Sequence, residues 1–233
     1  MRNKEITVLV CLFISIYSCG QQKNKSEEYF EQSFKLDSCK FSSTGRNQFF
    51  ILETGYQLIL QGKEDKKMTT LVVTVLDETK KVGEVETRVV EEKESVDGKV
   101  VEISKNYFAF CQEMNSVFYF GEDVDNYKNG KIKDHEGSWI AEGKNKPGMM
   151  MPGKIKIGYK YYQEVAPGVA MDRAEIVSNT DKLKTAAGDF INCLKTEETT
   201  PLSPKEKEYK IYAPGIGLIK DGDLTLVKYG FIK

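Results

Sequence analysis

Imidazole is nearly missing from this chain: His135 is the one histidine among 233 residues. A Ser-His-Asp arrangement would have to rest on it alone, and its setting, Lys131-Ile-Lys-Asp-His-Glu-Gly137, reads as an exposed polar loop. Cysteine is scarce as well, with five residues and no Cys-x-x-Cys. Closed zinc sites draw four ligands from Cys and His, so zinc is disfavoured, and no cofactor is expected. There is no basic block: 34 Lys and Arg stand against 35 Asp and Glu, for a formal net charge of -1. Phosphate backbones are held by concentrated positive charge, so nucleic acid is not an expected partner. After residue 16 nothing approaches the roughly 18 unbroken apolar residues of a spanning helix. Neither a repeat of fixed period nor a second domain boundary is apparent.

What is present begins at the N-terminus. Arg2 and Lys4 precede an apolar run from Ile6 to Ile16, within the length of about 7–15 residues usual in a secretory signal and short of the about 20 needed to cross a bilayer. Ile16-Tyr17-Ser18-Cys19 resembles the bacterial lipobox, in which the cysteine thiol is acylated and the preceding peptide removed. Tyr17 is bulkier than the small residue usual there. Cys11, inside the apolar run, reads as filler. The expectation is a lipoprotein signal peptide over 1–18, lipid attachment (palmitate or a related chain) at Cys19, and a polar tether over 19–47. A single acyl chain binds a membrane only marginally; the several chains of a lipoprotein-type cysteine would hold durably. Gly20 is not the aspartate of an inner-membrane retention signal, which favours the outer membrane where the cell has one. Gly20 to Glu28 reads as a flexible leash, whereas Tyr29 to Asn47 fits either a short helix or an edge segment.

From Gln48 onward, runs rich in Val, Ile, Tyr, Phe and Thr alternate with turn signals, the pattern of an all-β domain. Asp97-Gly98, Asn129-Gly130 and Asp221-Gly222 are two-residue hairpin signals. Strands are expected over Tyr56–Gln61, Met68–Asp77, Val85–Glu94, Lys99–Glu113, Ser116–Gly121, Ile155–Val165, Val169–Ser178, Phe190–Glu197, Lys207–Tyr212 and Leu224–Ile232. Pro147-Gly-Met-Met-Met-Pro-Gly153 reads as a loop or bend. Glu208-Tyr-Lys-Ile-Tyr212 and Leu224 to Tyr229 alternate, with one apolar face and one wet face as in an antiparallel meander. With at least about ten strands, a sheet must curl, split or close. The fold class expected is all-β, mainly antiparallel: one strongly curled, barrel or clam-like sheet forming a single domain over 48–233.

Three further groups bear on chemistry. Glu122, Asp123, Asp125 and Asn129 offer oxygen ligands that Ca²⁺ favours, but Tyr127 breaks the EF-hand spacing, and the stretch reads as a solvated hairpin loop. Cys39, Cys111 and Cys193 permit one disulfide and one free thiol in an exported chain, or three buried thiols acting as small hydrophobes. The many aromatics suit core packing and cross-strand pairs. Alternatively, Trp139, Met149, Met150, Met151 and Tyr161 would line a pocket for an apolar or lipid-like ligand.

Tyr119-Phe-Gly-Glu-Asp123, Gly137-Ser-Trp139, Pro147-Gly148 with Met151-Pro152, Tyr162-Gln-Glu-Val-Ala-Pro-Gly168, Phe190-Ile-Asn-Cys-Leu-Lys195 and Tyr212-Ala-Pro-Gly-Ile-Gly-Leu-Ile-Lys220 follow in order along the body. As a set they resemble a family of uncharacterised bacterial secreted proteins and lipoproteins. The resemblance implies one β-rich secreted domain and brings no catalytic residue. The reading that follows is a non-enzymatic, lipid-anchored protein of the cell envelope. It meets the membrane through Cys19 and binds a ligand or an envelope protein. Its alternatives are a carrier of a hydrophobic ligand inside the sheet, and a hydrolase using carboxylates or a metal.

Overall fold

A computed structural model describes residues 29–232. The signal peptide and Cys19 lie outside the described residues. A 3-10 turn (Leu36–Ser38) is followed by β1 (Phe41–Ser42), β2 (Gly45–Arg46), β3 (Ile51–Leu52), β4 (Tyr56–Glu64), β5 (Lys67–Val82) and β6 (Val85–Val96). Next come β7 (Lys99–Cys111), β8 (Ser116–Lys128), β9 (Lys131–Asp134), β10 (Trp139–Ile140), β11 (Lys146–Met151), β12 (Lys160–Tyr162) and β13 (Glu164–Val165). The chain ends with β14 (Arg173–Thr185), β15 (Gly188–Thr199), β16 (Lys207–Ala213), β17 (Gly217–Asp221) and β18 (Leu224–Phe231). No α-helix occurs among the described residues.

The strands join in the order β12-β14-β15-β16-β17-β18-β4-β5-β6-β7-β8-β11-β13, with every strand pairing antiparallel. β11 packs back against β12, so the sheet curls into a nearly closed barrel, as the pattern of the sequence predicts. Tight turns make the long hairpins. Asp97 and Gly98 both take positive φ (49° and 75°), as do Asn129 and Gly130 (54° and 74°), which is the twist a two-residue hairpin needs. β5 carries a wide bulge: Val75 pairs with Val90 but Thr79 with Arg88. The Arg88 guanidinium fills the gap, donating to the Leu76 carbonyl at 3.3 Å, so a backbone oxygen in the bulge keeps a partner, and also to the Ser43 carbonyl at 2.9 Å.

The folded body begins well before Gln48. Residues 30–41, grouped with the tether in the sequence reading, form a strap across the seam where β12 meets β11. Glu31 takes two backbone hydrogen bonds beside β12, to Lys160 and from Tyr162. Phe34 packs edge-on against Phe118 of β8, and Cys39 is disulfide-bonded to Cys111 of β7. Residues 47–52 then plug one end of the barrel. Asn47 donates to the carbonyls of Asn115 and Met151, the Gln48 carbonyl accepts from Gly215, and Phe49 and Leu52 are buried.

Several segments differ from the sequence reading; the strand expected from Val169, for one, begins only at Arg173. Pro147 to Met151 is strand β11, not a loop. Pro147 sits where β11 has only β13 beside it, so its missing N–H breaks no ladder bond. A Cβ on Gly148 would run into the Gln163 carbonyl, so this glycine permits close backbone approach and does not break a strand. Conversely, of the strand expected over Ile155–Val165, only Lys160–Tyr162 and Glu164–Val165 form.

Candidate functional site: the open end of the barrel

Residues directly opposite in neighbouring strands share one face. On one wall Val73, Glu92 and Ser104 align across β5, β6 and β7. Leu71, Glu94 and Glu102 form the next row, and Val90, Asn106, Glu122 and Trp139 another. Across the barrel Tyr161, Ala174, Glu198 and Glu208 align from β12 to β16, and Thr196, Lys210, Asp221 and Leu224 from β15 to β18. Each row mixes apolar and charged residues because position along the barrel axis, as well as alternation, sets polarity. Near the plug the interior is apolar: Phe50, Ile51, Tyr56, Leu58, Val75, Val90, Phe108 and Met150 surround a cavity of about 60 Å³. Its other wall holds Glu92, Lys210, Tyr212 and Asp221. Lys210 also lines a cleft of about 130 Å³ at the mouth, with Asp172, Glu198, Glu206 and Glu208. Lys210, on the wet face in the sequence reading, is thus inside, while Glu208 stands exposed at the rim of the cleft, and that face is wet because the barrel is open there.

Lys210 organises the polar layer. Its Nζ lies 3.3 Å from Glu198 and 3.5 Å from Asp221. Glu198 also accepts from Gln163 at 3.1 Å and Thr196 at 3.3 Å. Burial opposes the Lys210 charge, yet Asp221, Glu198, Tyr212 and Glu92 outweigh it and hold the ammonium pKa well above the ordinary lysine value. The carboxylates move the other way. Burial, reinforced by Asp221, Glu102 and Glu198 and opposed by Lys210, raises Glu92 to about 7. Burial likewise raises Glu122 to about 7, with Glu92 and Glu102 adding and Tyr119 and Trp139 opposing. The Trp139 indole N–H favours the charged form of Glu122 from across the strand pair without a well-formed hydrogen bond. Burial also raises Glu164 well above its ordinary value, with Asp172 and Glu122 beside it, and raises Glu94, Glu102, Asp172 and Glu208. These shifts follow from desolvation and like-charge crowding.

The expected pocket residues divide. Met150 lines the cavity. Met151 is fully buried, and Met149 lies 3.9 Å from the Tyr159 hydroxyl. Trp139 packs edge-on against Tyr119. Tyr161 is fully buried beside Glu198 and Tyr212, and its hydroxyl has no hydrogen-bond partner. The acidic cluster is no solvated loop: Glu122, Asp123 and Asp125 belong to β8, whose alternation separates neighbouring side chains. Glu122 faces the interior. Asp123 bonds Lys80 at 3.1 Å and Tyr107 on the other side, and Asp125 pairs with exposed His135 at 2.9 Å. These oxygens do not converge, and among the described residues no three His, Cys, Asp or Glu are grouped to hold a metal. Glu92, Glu198, Lys210 and Asp221 escaped the sequence reading because they meet only through pairings between strands far apart in the chain.

Of the cysteines, Cys193 is free and buried. Burial and nearby Asp181 raise its thiol pKa, so it behaves as a small hydrophobe and not as a reactive thiol. No protein-family model matches this chain, and no curated protein or solved structure matches it.

Proposed function

We propose that the chain is a non-enzymatic, lipid-anchored protein of the cell envelope that binds a small ligand through the open end of its barrel. The observation that carries this reading is the asymmetry of the barrel. One end is plugged by residues 47–52, while the other opens through a polar mouth onto an apolar floor that leaves a cavity. Such a concave site, apolar with a few convergent polar groups, is the usual form of a ligand pocket. The envelope location rests on Ile16 to Cys19, and the Cys39–Cys111 disulfide supports an oxidising compartment. Outer-membrane placement follows from Gly20 where the cell has that membrane.

A cavity of about 60 Å³ favours a compact ligand over a lipid chain, since drug-sized ligands occupy about 300–1,000 Å³. Anchoring is tested by growing cells with labelled palmitate and comparing the wild type with Cys19→Ala. Label should be lost in the variant; equal labelling counts against the anchor.

A further inference from the structure

The outer wall of the barrel carries a second concavity, a groove of about 940 Å³ that shares no residue with the interior cavity. Alternation puts Lys93 of β6 and Ile103 of β7, directly opposite one another, on the outside of the wall whose inner face holds Glu92 and Ser104. Lys67, Lys93, Lys99 and Lys128 line the groove, and all four are exposed. Among the described residues none of the four makes an ion pair. One acid, Asp97, lies with them, and its carboxylate already accepts from the Met68 N–H at 3.0 Å. The floor is apolar, with Val101, Ile103 and Tyr127 half-buried in it. Three neighbouring hairpin tips rim the groove, and each places a lysine at a strand end: Lys67 starts β5, Lys99 starts β7 and Lys128 ends β8. Met68 and Ile132 stand exposed beside them. Asn47 of the plug bonds Asn115, at the other end of β7 and β8, so these tips belong to the open end.

We propose that this groove and its rim dock on an anionic lipid surface, that of the membrane holding the anchor. Four lysines against one aspartate give the groove the complementary sign, and lysines beside a membrane are drawn to anionic headgroups. No arginine lines it. A planar guanidinium fork suits the fixed carboxylate of a folded partner, whereas an ammonium on a flexible stem is a point charge that suits headgroups moving in a plane. The stems of these lysines lie along the apolar floor while their charges reach the phosphates, and Met68 and Ile132 enter the headgroup layer as the apolar face of an interfacial segment does. On the anchor reading, the stretch from Cys19 to Tyr29 spans at most about 35 Å. That short reach keeps the groove concentrated at the surface, so contacts weak one by one suffice. The choice of membrane rests on the anchor reading; the chemistry of the surface does not.

The test is site-resolved lysine acylation. The full chain is purified in detergent and reconstituted with vesicles of phosphatidylcholine alone, or of phosphatidylcholine and phosphatidylglycerol in equal parts. An amine-reactive ester is added at low salt, and each modified lysine is read by mass spectrometry. Lys67, Lys93, Lys99 and Lys128 should react at least about fivefold more slowly on the mixed vesicles, the size of one lysine's attraction to an anionic surface. Exposed Lys228 on β18, outside the groove, should react equally on both. The protection should vanish in about 1 M salt, where screening shortens to about 3 Å. The double variant Lys93→Glu, Lys99→Glu alters two exposed side chains without ion pairs, and it should lose the protection at Lys67 and Lys128. Equal rates on the two kinds of vesicle would overturn the proposal, as would protection unaltered in the double variant. Protection by polyglutamate in solution, with none on mixed vesicles, would give the groove to an acidic protein and overturn the lipid surface. Failure of the anchor reading looks different. The chain would then not float with phosphatidylcholine vesicles, while protection on mixed vesicles, measured against the chain in detergent, would still decide the groove.

Discussion

Glu92 on β6 and Lys210 on β16 face one cavity from different walls of the barrel, and Lys210 is the one group that draws the raised Glu92 pKa back down. The carboxyl is raised from 4.5 to about 7 in the folded state. Between those values the native protein binds more protons than the unfolded chain, so this contribution to stability is full below pH 4.5 and is lost as pH rises through about 7. The shift is worth up to about 3 kcal/mol. Glu92→Gln should therefore raise the Tm at pH 8 and change it little at pH 4.5. Denaturation monitored at both pH values checks this; an equal Tm at pH 8 would contradict it.

Removing the cation should act in the opposite direction. Lys210→Met leaves Glu198 and Asp221 without their shared partner, and breaking a buried pair on one side costs about 3–5 kcal/mol. The lysine side chain is nearly a quarter exposed (23%), so the lower end of that range is expected at pH 8. Urea unfolding curves at pH 8 measure the loss.

The Cys39–Cys111 bridge closes a sequence separation of 72 residues. In the chain-entropy account such a loop is worth about 4 kcal/mol. Cys39→Ala should lower stability by up to about that amount, and reductant should then have no further effect on the variant. Cys193→Ala should leave the reductant sensitivity of the wild type unchanged.

At the β4–β5 hairpin, Asp65 and Lys66 both take positive φ (46° and 70°). Aspartate tolerates this region and lysine does not. Lys66→Gly should stabilise the protein by about 0.5–1 kcal/mol, read as a rise in the urea midpoint with an unchanged slope. Gly148→Ala should do the reverse, by about 1–3 kcal/mol, because its methyl would meet the Gln163 carbonyl.

The hairpins at Asp97-Gly98 and Asn129-Gly130 and the long β-branched runs between them were legible in the sequence, and they are enough to require a curled antiparallel sheet; the last hairpin turns one residue later than expected, at Gly222 and Asp223, with Asp221 paired to Leu224. Pro147-Gly148 misleads because proline and glycine have two uses in strands. They end a ladder, or they fit an edge and a close backbone approach, and only the position of β13 decides which. The interior carboxylates misled for a related reason. Alternation tells which side chains share a face, but not whether a polar face looks onto solvent or into an open barrel. Glu92 and Glu94 lie on the same face as Val90, and only the closure of β11 toward β12 makes that face an interior. His135 was legible as exposed because charged Asp134 and Glu136 flank it in a polar, turn-like stretch.

The strap across the seam also decides how the protein bears a pull. Tension applied ahead of Tyr29 would first load the two backbone hydrogen bonds of Glu31 beside β12. It would then reach Cys39, where a covalent link hands it to β7. The thread from residue 40 into the plug would stay slack. Towed from its N-terminus, the barrel would be held by a rivet in its wall while the end that closes it stays unloaded.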